Sequence, residues 1–141
     1  MDPRLRHRRH RPGNGLGDVS LLVVEDDELI RDSLLEWLRS ILPQAEVRGV
    51  PSARVTKLAA AEEPDAVLAD LTSSAGDRLG LVRQLTRLFP QSELVALTVD
   101  GDYEARDAVL AAGASACLPL WTLSDRLQRI LHQLLEEQPR R

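Results

Sequence analysis

The chain has 141 residues, 43% apolar but only 3% aromatic. That is long enough for one domain with a core of Leu, Val, Ala and Ile, and no apolar run approaches membrane-spanning length. A single cysteine, Cys117, excludes an internal disulfide and a cysteine-built zinc site, and the arginines at the start lack the apolar stretch of a secretory signal, so a cytoplasmic protein is expected. The net charge of −4 divides unevenly: residues 1–17 set Arg4, Arg6, Arg8, Arg9 and Arg11 against Asp2, a net +4 that leaves −8 on the remainder, so the body does not draw in nucleic acid by its overall field.

Residues 1–17 are poor in apolar side chains and end in Pro12-Gly13-Asn14-Gly15-Leu16-Gly17. They read as a disordered basic tail, able at most to touch nucleic acid weakly. Residues 18–137 read as the domain and 138–141 as a short C-terminal tail. Within the domain, Val19–Val24 is expected as a buried strand. Glu28–Leu42 is expected as a helix, with Ile30, Leu34, Leu38, Ile41 and Leu42 on one face, Asp26 or Asp27 capping its start and Pro43 ending it. Glu46–Val50 follows as a strand, then Ser52–Ala61 as a weaker helix closed by Pro64.

Asp65–Ala69 is the third strand. Arg78–Phe89 is a helix burying Leu81, Val82, Leu85, Leu88 and Phe89, closed by Pro90. Glu93–Thr98 is the fourth strand, and Asp102–Ala112 a helix of small residues capped by Gly113. Ser115–Leu118 is the fifth strand. Thr122–Glu136 is the last helix, with Leu123, Leu127, Ile130, Leu131 and Leu134 on its apolar side. Five strand-then-helix units with strands apolar throughout imply an open parallel sheet covered on both faces. The buried first and third strands belong in its middle, giving the order 2-1-3-4-5.

Asp70 carries the chemistry. It follows Ala66-Val67-Leu68-Ala69, and Glu25-Asp26-Asp27 follows Leu21-Leu22-Val23-Val24. Parallel neighbouring strands bring both acidic groups to the carboxyl edge of the sheet, where ligands of such sheets bind. Carboxylates that close repel unless a proton or cation intervenes, and oxygen ligands favour a hard cation such as Mg²⁺. Each acid taken alone also fits an ordinary strand-end loop residue; the two clusters together point to a site.

Four segments resemble, in order and with family spacing, bacterial response-regulator receiver domains. They are Leu21 to Arg31 (LLVVEDDELIR), Pro64 to Leu71 (PDAVLADL), Val95-Ala96-Leu97-Thr98 and Ala111-Ala112-Gly113-Ala114. The resemblance covers about Val19 to Leu135. It implies a flavodoxin-like, doubly wound five-stranded sheet with five helices. It also implies a phosphoacceptor at Asp70 served by a histidine kinase. Mg²⁺ would be held, weakly, by Glu25, Asp26, Asp70 and the backbone carbonyl of Thr72, with a switch hydroxyl at Thr98. No catalytic residues are implied: the family signals rather than catalyses.

The departures from the family are equally specific. The family lysine at the end of the fifth strand falls on Leu120 and the following proline on Trp121, and the aromatic switch position falls on Cys117. The chain's one lysine, Lys57, is expected on the second helix. In the loop after Asp70, Ser74 and Arg78 replace the family proline and glycine, while Asp77 is family-like. Arg78 lies at a helix start exposed to solvent or supplies the missing charge.

The resulting expectation is a stand-alone atypical receiver domain in two-component-type signalling. Its phosphorylation at Asp70 is weakened or lost. It acts through protein partners, a kinase or another signalling protein, on a face built from the fourth helix, fifth strand and fifth helix, with a homodimer left open. The alternative is a working phospho-receiver. An aspartyl phosphatase would want a second acid where Thr72 stands, and a nucleotide site would want a glycine-rich first turn rather than an acidic one.

Overall fold

A computed structural model describes residues 19–58, 63–72, 77–98, 103–119 and 128–136. The basic tail, the C-terminal tail, Ser74, Leu120 and Trp121 lie outside these residues. Five strands, β1 (Ser20–Val24), β2 (Glu46–Val50), β3 (Ala66–Asp70), β4 (Glu93–Thr98) and β5 (Ala116–Pro119), form one sheet in the order β2-β1-β3-β4-β5. Every pairing is parallel. Five helices complete the architecture: α1 (Glu28–Ile41), α2 (Val55–Leu58), α3 (Arg78–Leu88), α4 (Tyr103–Ala111) and α5 (Gln128–Glu136). The fold class and strand order are those expected.

Alternate residues of each strand feed two cores, as strand pleating requires. Leu21 and Val23 of β1, Leu68 of β3 and Val95 and Leu97 of β4 pack with Leu34, Leu38 and Leu42 from α1 and its end, and with Leu131 of α5. Leu22 and Val24, Val67 and Ala69, and Leu94 and Ala96 pack on the opposite face with Val55 of α2, Val82 and Leu85 of α3, and Val109 of α4. A buried leucine or valine contributes roughly 1.5–3 kcal/mol, so these two layers, rather than any polar contact, hold the sheet between its helices.

Asp27 caps α1, its side chain accepting from the Ile30 N–H at 3.1 Å, and Asp77 caps α3 by accepting from the Gly80 N–H at 2.9 Å. Gly49 lies mid-strand in β2 because α1 presses on it: a Cβ there would stand 2.9 Å from Leu35 Cδ1 and 3.0 Å from Arg31 Cγ. Gly113 turns the chain from α4 into β5 at φ +127°, and a Cβ there would stand 2.6 Å from Thr86 Oγ1.

Three local expectations are corrected. Ile30 is 41% exposed, not part of the buried face of α1; it sits in the first turn, at the sheet's carboxyl edge, while Leu34, Leu38 and Leu42 lie over the strands. The second helix opens as a 3-10 turn over Ser52–Arg54, followed by the single described helical turn of α2; residues 59–62 lie outside the described set. The third and fifth strands each run one residue further toward the carboxyl edge than expected, so Asp70 is itself a strand residue and Pro119 ends β5. No helix among the described residues is long and apolar enough to cross a membrane.

Candidate functional site

The register of the sheet builds the site. Val24 of β1 pairs with Ala69 of β3, so the next residues, Glu25 and Asp70, emerge level with one another at the carboxyl edge. Asp70 pairs with Leu97 of β4, which places Thr98 one step further on, and Thr98 pairs with Pro119 of β5. Glu25, Asp70 and Thr98 are all buried, at 3%, 9% and 5% exposure. A row of polar residues lying under so little solvent needs internal partners.

Asp70 has them. Its Oδ1 accepts from the Thr72 N–H at 2.8 Å and from the Thr72 hydroxyl at 2.6 Å. Glu25 is only half satisfied: Oε2 accepts from the Asp27 N–H at 3.0 Å, while the buried Oε1 receives no hydrogen bond. Burial first, then the neighbouring Asp70 carboxylate, push the Glu25 carboxyl up to about 7, against the lowering effect of the Asp27 N–H. Two adjacent buried acids are stable with a shared proton or with a cation between them. The Glu25 carboxyl, against Asp70 and with Oε1 unfilled, suits a shared proton without metal and a hard, oxygen-liganded cation when one is bound.

Asp26 does not join them. Its Oδ1 accepts from the Ser52 N–H at 2.6 Å and its Oδ2 from the Ser52 hydroxyl at 3.1 Å. β1 lies between β2 and β3. The turn after β1 thus sends Glu25 toward β3 and Asp26 toward the segment after β2. Among the described residues no three His, Cys, Asp or Glu side chains converge closely enough to hold a metal ion. Asp27, as expected, serves the helix start. Arg31 reaches back from α1, its Nη1 donating to the Glu25 carbonyl at 2.9 Å, and so fastens the acidic turn to the helix.

Thr98 Oγ1 lies 3.4 Å from Cys117 Sγ and 3.5 Å from the Leu118 carbonyl. Cys117 is buried at 8% exposure, a small packing residue in the second core. Arg78 is exposed at the first turn of α3, and Lys57 is exposed on α2. Sequence reasoning passed over Ser52: a serine after Pro51 signals a helix start, not the residue that would hold Asp26. It also passed over buried Glu63 at the opposite edge, which accepts from the Gln91 N–H and the Ser92 hydroxyl and joins the approach to β3 to that of β4.

No protein-family model and no curated protein matches the sequence. Solved structures do. The chain is similar to the signal receiver domain of a DNA-binding response regulator from Colwellia psychrerythraea 34H, at 23% identity and a TM-score of 0.72, over 85% of this chain and 100% of that one. It is similar to the receiver domain of a sensor histidine kinase from Pseudomonas aeruginosa PAO1, which holds a magnesium ion in its active-site cleft, at 23% identity and a TM-score of 0.71, over 86% and 100%. A response regulator from Thermotoga maritima matches at 18% identity and a TM-score of 0.70, over 85% and 99%. At these identities the likeness is one of fold.

Proposed function

We propose that this chain is an atypical receiver domain of two-component-type signalling, in which Asp70 keeps the phosphoacceptor position but transfer to it is weakened or lost. The observation that carries the reading is the buried Glu25–Asp70 pair at the carboxyl edge of a receiver-type sheet, with an unfilled Glu25 oxygen. Glu25 and Asp70 would hold Mg²⁺, with Asp26 and the Thr72 carbonyl as the remaining expected ligands. The ion would supply charge neutralisation for a phosphoryl group. The chain's own residues do the rest: Thr72 orients the Asp70 carboxylate, and Thr98 offers a hydroxyl from the adjacent strand end.

What is missing is the family lysine. β5 runs Ala116–Pro119 without one, and the chain's single lysine is on α2. A lysine there would place a compact positive charge on a phosphoryl oxygen, which a leucine cannot do. The module then acts by binding a signalling partner rather than by chemistry of its own. A working phospho-receiver is the second reading, favoured by Asp70 and Thr98 standing on neighbouring strand ends. Incubation with acetyl phosphate and Mg²⁺, read by intact mass with Asp70→Ala as control, separates the two. Slow or absent labelling supports the first; rapid stoichiometric labelling establishes the second.

A further inference from the structure

Ser52 spends two hydrogen bonds on one acid of the pair that the first turn presents. Both oxygens of Asp26 are engaged, by the Ser52 N–H at 2.6 Å and the Ser52 hydroxyl at 3.1 Å. The contact answers a local need. Pro51 precedes the 3-10 turn of Ser52–Arg54 and makes no side-chain cap, so the Ser52 N–H would otherwise lack an acceptor at the start of that turn. Asp26 meets that need from the turn after β1, and in doing so faces the segment after β2 rather than β3. The consequence falls on the buried pocket. Glu25 Oε1 and Asp70 are left with two carboxylates where a hard cation prefers more oxygen ligands.

We propose that the Ser52–Asp26 clamp is a latch that sets the cation affinity of the pocket. Closed, it confines the cation to Glu25 and Asp70; opened, it frees Asp26 as a third carboxylate. The latch rests on the reading of the pocket as a divalent-cation site. Ser52 is a positioning residue: it acts through Asp26 and touches no cation. Because its hydroxyl supplies one of the two bonds, the closed state can be weakened without touching any acid. A protein or covalent group that takes the Ser52 hydroxyl would therefore raise cation affinity from outside the pocket.

The test is Mg²⁺ titration of the full chain by calorimetry, in wild type, Ser52→Ala, Ser52→Thr, Asp26→Asn, Asp70→Asn and the Ser52→Ala/Asp26→Asn double variant. Ser52→Ala should tighten Mg²⁺ binding by about three- to tenfold, the scale of one partly exposed hydrogen bond to a charged group. Ser52→Thr, which keeps the hydroxyl, should restore the wild-type value. In the Asp26→Asn background, Ser52→Ala should have no effect. Unchanged or weaker binding in Ser52→Ala, or tightening that persists without Asp26, overturns the latch. Wild-type binding that is lost in Asp70→Asn upholds the cation site whatever Ser52 does. If no variant binds Mg²⁺, freeing Asp26 does not complete a site, and latch and site fall together.

Discussion

Glu25 and Asp70 stand level at the ends of adjacent parallel strands, two buried carboxyl groups of which one keeps an oxygen with no donor. Above about pH 7, where both carboxyls are ionised, Asp70→Asn should convert this opposition into a hydrogen bond. The amide oxygen can still accept from Thr72 while the new NH₂ group donates to Glu25. Without metal, the variant should be more stable by on the order of 1 kcal/mol, a rise of a few degrees in Tm for a domain of this size. Calorimetric melting in EDTA at pH 8 checks this. A lower Tm would show that the pair is not strained in the apo protein.

The same pair makes stability depend on pH. Glu25 is pushed up to about 7, against an ordinary 4.5, chiefly by burial and then by Asp70. Between those values the folded protein keeps a proton that the unfolded chain has released, so folding binds protons and stability falls as pH rises through that window. The contribution is full below about pH 4.5 and gone above about 7. Glu25→Gln should flatten this part of the profile, and Asp70→Asn should reduce it without removing it, since burial remains. Urea unfolding midpoints from pH 4.5 to 8 measure the slope.

The fold was legible because the strands are apolar along their whole length. Leu21-Leu22-Val23-Val24 and Ala66-Val67-Leu68-Ala69 call for cover on both faces, which a doubly wound sheet provides. The helix starts were legible too, since an acid immediately before an apolar period is a cap. The direction in which neighbouring acids point was not. Glu25 and Asp26 are adjacent in sequence, but backbone dihedrals in the turn decide which faces β3, and Asp26's partner lies 26 residues on. Ile30 fits the helical period of α1 but lies at the sheet's edge, where periodicity has nothing to report.

Gly113→Ala should be costly. At φ +127° an L side chain is strained, and the added Cβ meets the Thr86 hydroxyl at 2.6 Å. That hydroxyl already donates to the Val82 carbonyl at 2.8 Å, so it cannot withdraw freely. A loss of roughly 1–3 kcal/mol is expected, read as a lower urea midpoint with unchanged m-value. Thr86→Ser in the same background removes the methyl but not the hydroxyl and should return little of it.

Leu120→Lys tests the proposal that the missing lysine weakens phosphoryl transfer to Asp70. β4 and β5 pair as far as Thr98 and Pro119, and the resemblance to receiver domains puts the family lysine at the next position. An ammonium there would favour a phosphoryl group on Asp70 and couple it to the fifth strand. The substitution should raise the rate of acetyl phosphate labelling at Asp70, measured by intact mass, with the gain abolished in Asp70→Ala. It should leave Mg²⁺ affinity little changed or weaker, because an added cation near the pocket repels the metal. Faster labelling with unchanged or reduced metal affinity assigns the defect to the lysine position. Equally slow labelling in wild type and variant would instead point to the acidic pocket, where Ser52 engages both oxygens of Asp26.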